Sequence, residues 1–235
     1  MEISRRLQTI AGMVTKGNTA CDVGTDHGYL AIYLVEQGIC ETVIAMDVAK
    51  GPLSKAKENI ALYHYEDRIK TRLSDGLEKL EKGEAKTVIM AGMGGILITG
   101  LIEKGKEILK DVDELILSPH TDVELVRRYL LENEYSIQDE TMLTEDGKYY
   151  IVMKAVHGAQ SYEKSCEYRY GSKLLIGKNP VLKEYMEKEL SKLKALYGNL
   201  EDISTENAKK RKLELEEEIQ CIKEGLEYYE VQRNN

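Results

Sequence analysis

Thr19-Ala20-Cys21-Asp22-Val23-Gly24-Thr25-Asp26-His27-Gly28-Tyr29-Leu30 reads as a short strand, a tight glycine turn and the start of a helix. The turn-forming Lys16-Gly17-Asn18 precedes it, and an apolar helical run from Leu30 to Val35 follows. A strand that feeds a glycine turn and then a helix brings backbone close to a ligand at the strand's carboxyl end. Open α/β sheets bind nucleotides at such ends. Gly24 removes the β-carbon where the chain must turn and a cofactor must approach.

Two nucleotide readings compete for this loop. A dinucleotide fingerprint, Gly-x-Gly-x-x-Gly, started at Gly24 needs glycine at 26 and 29, where the chain has Asp26 and Tyr29. The looser methyltransferase loop, acidic-x-Gly-x-Gly-x-Gly, is met by Asp22, Gly24 and Gly28 and missed at Asp26. S-adenosylmethionine (SAM) has no pyrophosphate to wrap, but it carries a sulfonium and an ammonium, and a carboxylate such as Asp22 suits that cation. Taken alone, the loop also fits a plain structural strand-turn-helix.

Later strand ends favour the SAM reading. Thr42–Asp47 is continuously apolar until its closing acid, as a strand buried on both faces should be. An acid closing the second strand is placed to accept hydrogen bonds from both ribose hydroxyls of an adenosine. Ile69–Leu73 is a more exposed strand that ends in Ser74-Asp75-Gly76. Asp75 there is able to accept from an adenine amino group while the Gly76 amide donates to a ring nitrogen; the alternative is an ordinary helix N-cap. Lys86–Ala91 is the fourth strand, followed by Gly92-Met93-Gly94-Gly95. Three glycines in four residues suit backbone lying flat against a ligand. Candidate cofactor contacts are therefore Asp22, Gly24, His27, Gly28, Asp47, Val48, Asp75, Gly76, Ala91, Gly92, Met93 and Gly94.

The remaining elements complete an α/β domain. Ile3, Leu7, Ile10 and Val14 place an amphipathic helix over 3–15, with Arg5 and Arg6 side by side on it as solvated charges or a polyanion contact. Helices are expected at 28–37, 53–63, 96–109 and 122–133. A strand at 114–117 leads to Ser118-Pro119-His120, and strands at 135–143 and 149–156 form a hairpin-like pair at one edge. The sum is one sheet covered on both faces, residues 1–160. Strand signals vanish afterwards. Leu182, Met186, Leu190, Leu193 and Tyr197 make one helical stripe, and Leu215, Ile219, Ile222, Leu226 and Tyr229 make another at heptad spacing. Residues 161–235 thus read as an antiparallel helical hairpin, a small coiled coil, broken at Gly198-Asn199. Lys209-Lys210-Arg211-Lys212 reads as a solvated face balanced by Glu214 to Glu218.

Bulk properties narrow the class. The 235 residues hold no phenylalanine or tryptophan, so fifteen tyrosines supply all aromatic contacts. Cys21, Cys40, Cys166 and Cys221 are far apart and form no Cys-x-x-Cys pair, which predicts reduced, buried thiols and no metal site. No apolar run approaches a membrane span, and residues 1–14 lack a signal-peptide core; a soluble, cytoplasmic, monomeric protein is the expectation, its heptads being too few for a long dimer rod. The net charge of −8 argues against RNA, unless the fold segregates a basic face. Arg5, Arg6, Lys16, Arg127, Arg128 and the lysines of the helical hairpin are the candidates for one.

The Asp-x-Gly-Thr-Asp-His-Gly-Tyr loop, the Gly-Met-Gly-Gly turn at 92–95 and Glu-Asp-Gly-Lys-Tyr-Tyr at 145–150 resemble the TrmK-type bacterial tRNA (adenine-22-N1)-methyltransferases. So does the segment from Arg169-Tyr170-Gly171 to Asn179-Pro180-Val181. The resemblance covers essentially the whole chain. It implies a class I, Rossmann-like SAM-dependent methyltransferase domain, a C-terminal coiled-coil domain, and tRNA as substrate. Gln-Pro-Asn is common in that family after the fifth strand, and here Ser118-Pro119-His120 stands there, so an asparagine contact does not carry over. Attack by adenine N1 needs no general base, so Asp26, Tyr29 and His120 are expected to position the base: Tyr29 by stacking, the other two by polar contact. A methyltransferase for a small molecule or protein, and a non-catalytic module binding SAM or RNA, are the alternatives.

Overall fold

Apolar runs without alternation pack on both faces, and so they pair as parallel strands under helices. The computed structural model describes residues 1–200 and 205–230. The chain divides into two units, Met1–Gln160 and Ser161–Asn235. In the first unit, β1 (Ala20–Val23), β2 (Val43–Asp47), β3 (Ile69–Leu73), β4 (Thr87–Met93) and β5 (Glu114–Pro119) run parallel. Two further strands, β6 (Tyr135–Glu145) and β7 (Lys148–His157), complete a seven-stranded sheet in the order β3-β2-β1-β4-β5-β7-β6. β7 is antiparallel to both β5 and β6. The returning strand of the hairpin therefore lies inside, with Val152, Met153 and Ala155 buried, and β6 forms the edge.

Helices α1 (Arg5–Met13), α2 (Tyr29–Glu36), α3 (Lys50–Leu62), α4 (Gly95–Lys104), α5 (Lys106–Leu109) and α6 (Val123–Glu132) belong to this unit. The single helix expected over 96–109 is broken at Gly105, which caps α4 and whose missing β-carbon makes room for Leu77. Ile10, Ala11, Leu30, Ala31, Ile32, Leu34 and Val35 bury the inner faces of α1 and α2 in the core. Buried Glu114 at the start of β5 accepts from Thr15 N (2.8 Å), Thr15 Oγ1 (2.6 Å) and Thr87 Oγ1 (2.7 Å). That network fixes the chain between α1 and β1, so α1 holds a defined position over β5 and β7.

Arg127 does not join a basic face. It is wholly buried on α6, with its Nε 2.7 Å from Glu140 of β6. Val126 and Leu130 flank it on the apolar stripe of α6, where an arginine is tolerated only with a paired carboxylate. Arg128 pairs with Glu124 one turn away.

In the second unit, short helices α7 (Ser165–Tyr170) and α8 (Ser172–Ile176) precede α9 (Pro180–Gly198) and α10 (Glu206–Glu227). Asn179 caps α9, accepting from the Val181 and Leu182 amides, and Pro180 supplies its first residue. Tyr229, just past α10, donates to Asn179 O at the start of α9 (2.8 Å), while Tyr197 near the end of α9 donates to Glu216 (2.6 Å). The two long helices are therefore antiparallel. Leu182, Met186, Leu193, Leu215 and Ile222 are buried; Ile219 and Leu226 are half-buried. Arg211 pairs with Glu214 and Glu218, and Lys209 with Glu206, the expected solvated face. No helix among the described residues is long and apolar enough to cross a membrane. The four cysteines are buried and form no disulfide among the described residues.

Candidate active site

The strand order turns at β1: β2 and β3 lie to one side of it, β4 and β5 to the other. The crevice beyond the carboxyl ends at such a switch point is where open α/β sheets place ligands. Five of the segments singled out in the sequence end there.

The first is the loop after β1. Gly24 N and Thr25 N both donate to Met46 O at the end of β2 (2.8 and 2.9 Å). Gly24 has φ +76°, and a β-carbon there would collide with the Met93 methyl, so the turn requires glycine for conformation and for space. The loop thus packs directly on the Gly92–Gly95 turn. Asp22 is buried, and Thr25 Oγ1 donates to its Oδ2 at 2.7 Å. Burial pushes the Asp22 carboxyl up to about 6 against the opposing Thr25 hydrogen bond, with the Asp47 and Asp26 charges adding to the rise. Thr25, wholly buried, was not singled out in the sequence; its spacing three residues after an acid was the available signal.

The loop continues outward. His27 adopts φ +58° and its carbonyl accepts from Asn59 Nδ2 of α3 at 2.9 Å. Its ring stacks on Tyr29, with centroids 5.7 Å apart and planes inclined by 14°, and its Nε2 lies 3.2 Å from Asp26. Tyr29 is 40% exposed, so it is not a core tyrosine. Asp26, His27 and Tyr29 form one exposed cluster on the rim.

The second and third acids close neighbouring strands in register. Asp47 pairs with Leu73, and Ser74 N donates to Asp47 O at 2.9 Å. Asp47 Oδ1 accepts from Ala49 N at 2.7 Å, which leaves Oδ2 without a protein partner among the described residues. Val48, beside it, is 68% exposed. Ser74, not Asp75, serves the local turn: Ser74 Oγ accepts from Lys79 N at 3.1 Å. Asp75 is exposed, and its carboxylate has no partner among the described residues.

β4 carries the fourth segment. Its pairing with β5 slips between Ala91 and Met93, so Gly92 is an extra residue in a bulge, with φ +80°. The turn then tucks under the β5–α6 connection: a β-carbon on Gly95 would lie 2.6 Å from Asp122 O. His120 N donates to Met93 O at 2.8 Å, which fixes His120 beside the bulge.

His120 has neighbours that no local pattern announced. Arg6 Nη1 lies 3.3 Å from His120 Nε2, and the Tyr150 ring lies edge-on to His120 at 5.9 Å. A guanidinium only donates, so Nε2 is the acceptor and the ring carries its proton on Nδ1. Partial burial and the nearby Arg6 and Lys148 charges hold the imidazole below its ordinary value, which favours the neutral ring. Its acceptor is already used, so of the two polar candidates for an exocyclic amine only Asp26 is equipped to accept.

A family model described as tRNA (adenine(22)-N(1))-methyltransferase, TrmK, matches residues 20–224. The tRNA (adenine(22)-N(1))-methyltransferase of Bacillus subtilis is 33% identical over 234 residues, covering 97% of this chain and 98% of the relative. A Streptococcus pneumoniae protein solved with S-adenosyl-L-methionine superposes with a TM-score of 0.87. It is 32% identical, over 96% of this chain and all of that one. M. capricolum TrmK with S-adenosyl-homocysteine superposes with a TM-score of 0.84 at 27% identity, over 97% of this chain and 99% of that one.

Proposed function

The chain belongs to the TrmK family of tRNA (adenine(22)-N(1))-methyltransferases, and from that premise we propose how its own residues carry out the family's reaction. It is a SAM-dependent enzyme that methylates N1 of adenine 22 in tRNA. The observation that carries the reading is the set of carboxylates, Asp22, Asp47 and Asp75, closing three adjacent parallel strands around one glycine turn. Incubation with tritiated SAM and bulk bacterial tRNA, followed by nuclease mapping, should place the label on N1 of adenine 22. Label on protein, on a small molecule or on another nucleotide would reject it.

The crevice fits SAM by its donor set. Asp47, with Oδ2 unpartnered, is suited to the ribose hydroxyls, and Asp75 with the Gly76 amide to the adenine edge. Asp22 supplies negative charge toward the cationic end. The Gly24 and Gly92–Gly94 backbone, with His27, Gly28, Val48, Ala91 and Met93, forms the remaining wall. Bound SAM supplies an electrophilic methyl group on its sulfonium. Adenine N1 has an in-plane lone pair, so no proton is removed before attack. The protein's task is to hold N1 in line with that methyl, and orientation of this kind contributes about 7–11 kcal/mol. The base must first leave the RNA fold, at a cost of a few kcal/mol. Tyr29, exposed and already stacked on His27, takes it by stacking, and Asp26 accepts from its amine. The second unit is a coiled-coil hairpin that docks the tRNA.

A linkage with pH follows from Asp22. Its folded-state value lies above that of an unfolded chain, so its protonated form is favoured in the free enzyme, and its contribution to stability is lost as pH rises through about 6. A ligand cation selects the ionised form. SAM affinity should therefore rise about tenfold per pH unit below about pH 6 and level off above it. Calorimetry from pH 5 to 7 checks this, with Asp22→Asn removing the slope. An affinity independent of pH in the native enzyme would exclude Asp22 from the cation site.

His120 provides a second check. Its imidazole is held below the ordinary value and its acceptor is engaged by Arg6, so it positions neighbours and takes no proton. In His120→Asn the amide oxygen replaces Nε2 as acceptor, and single-turnover methylation should stay within about threefold of the native rate, flat from pH 6.5 to 8.5. General-base catalysis contributes about 10²–10⁴-fold. A loss of that size in His120→Asn would make His120 a base and overturn this mechanism.

A further inference from the structure

Three distant segments converge beside the Gly92 bulge: Arg6 on α1, His120 after β5, and Tyr150 on β7. The Arg6 guanidinium carbon lies 5.3 Å over the Tyr150 ring centroid, and its Nη1 reaches His120 Nε2 at 3.3 Å. Both partners are uncharged. Among the described residues Arg6 makes no ion pair. Glu145 meets the backbone of this helix end instead. Its Oε1 accepts from the backbone amides of Arg5 (2.6 Å) and Arg6 (3.4 Å), which clamps the start of α1 to the β6–β7 hairpin. Ser4 caps the same helix end, accepting from Leu7 N at 3.3 Å.

The side chain is therefore held in place on partners that are not carboxylates. It is also aimed at the reaction crevice. A β-carbon on Gly92 would lie 3.6 Å from Arg6 Nη1 and 3.9 Å from the His120 ring, so the guanidinium hangs over the open backbone of the bulge. A second cation, Lys148 at the start of β7, acts on the same His120 ring and makes no ion pair among the described residues. An oriented guanidinium with free donors takes an oxyanion by two parallel hydrogen bonds, as phosphate binding by arginine does. In a protein of net charge −8, such a position on the crevice rim is where a polyanion gains a local foothold.

We propose that Arg6, laid on Tyr150 and braced by His120, binds a backbone phosphate of the target nucleotide and so fixes the entry of its base beside Gly92. The proposal rests on tRNA being the substrate. Arg6 is then a binding residue for RNA, and His120 and Glu145 act through it as positioning residues.

The test measures binding of unmodified full-length tRNA by the full-length protein from about 50 to 200 mM salt, with SAM affinity followed separately by calorimetry. Native protein, Arg6→Gln and Arg6→Lys are compared. Each phosphate contact contributes about one to the slope of log affinity against log salt. Arg6→Gln should lower the slope by about one and weaken tRNA binding about five- to twentyfold at 0.1 M salt. Arg6→Lys, which keeps the charge, should retain the slope, and SAM affinity should be equal in all three. An unchanged slope in Arg6→Gln would overturn the proposal. A fall in SAM affinity matching the fall for tRNA would also overturn it, by assigning the guanidinium to the cofactor's carboxylate. Native protein with no salt-dependent affinity for tRNA would overturn the RNA reading itself, and this proposal with it.

Discussion

Asp47→Ala is expected to weaken SAM binding roughly 10- to 150-fold, the loss of about 1.5–3 kcal/mol given by hydrogen bonds to a charged acceptor. The geometry confines the damage to the ligand. Asp47 sits at the last ladder position of β2, and the bond that ties it to the next loop, from Ser74 N, goes to its backbone oxygen. The side chain is half-exposed, so truncation opens no cavity. The one internal bond lost is that from Ala49 N, 2.7 Å from Oδ1, where α3 begins. That turn bond contributes about 1 kcal/mol to stability, which a cooperative melting curve registers as a small shift. Asp47→Asn keeps the turn bond but loses the charge, and it should fall between native and alanine. Calorimetric titration with SAM decides the matter. An unchanged dissociation constant in folded Asp47→Ala would remove the ribose role from this residue.

The parts of this fold that were legible in the sequence are those in which one local pattern has one structural solution. β2 reads as an unbroken apolar run up to its closing acid and is buried as far as Met46. The acids at 22, 47 and 75 stood out because each falls at or just after the end of a strand. What local pattern does not carry is the choice among partners. The sequence placed β6 and β7 together at an edge without ordering them, and the inner place went to β7, whose Val152, Met153 and Ala155 are buried. α7 and α8, six and five residues long, are too short for a helical period to emerge. Arg127 was counted as a surface charge because its partner Glu140 lies on a different element. Its position beside Val126 and three residues before Leu130 on the buried face of α6 was the signal available. The cluster of Arg6, His120 and Tyr150 is the extreme case, since Arg6 and His120 are 114 residues apart. Local motifs mark the proposed cofactor side of the crevice, and tertiary packing assembles the proposed substrate side.

That division leads to the largest effect expected of any change to this chain. Every candidate cofactor contact lies before residue 160, and the helical unit that follows contains none. A protein ending at residue 160 should bind SAM within about twofold of the full chain, because it keeps all three carboxylates and both glycine turns. It should methylate tRNA at least about 100-fold less efficiently, the scale reached when several phosphate contacts are lost together. The second unit is close to neutral, with 14 basic and 15 acidic residues, while the first carries the other −7 of the net charge. Removing it leaves the more acidic part of the protein to meet the RNA alone. The loss should fall on KM for tRNA more than on the single-turnover rate at saturating tRNA, since Asp26, Tyr29 and His120 remain. SAM calorimetry on the shortened protein establishes that it is folded, and methylation of unmodified tRNA across a concentration series separates the two parameters. A shortened enzyme with native KM and native rate would take the helical hairpin out of RNA recognition and assign it to contact with another protein chain.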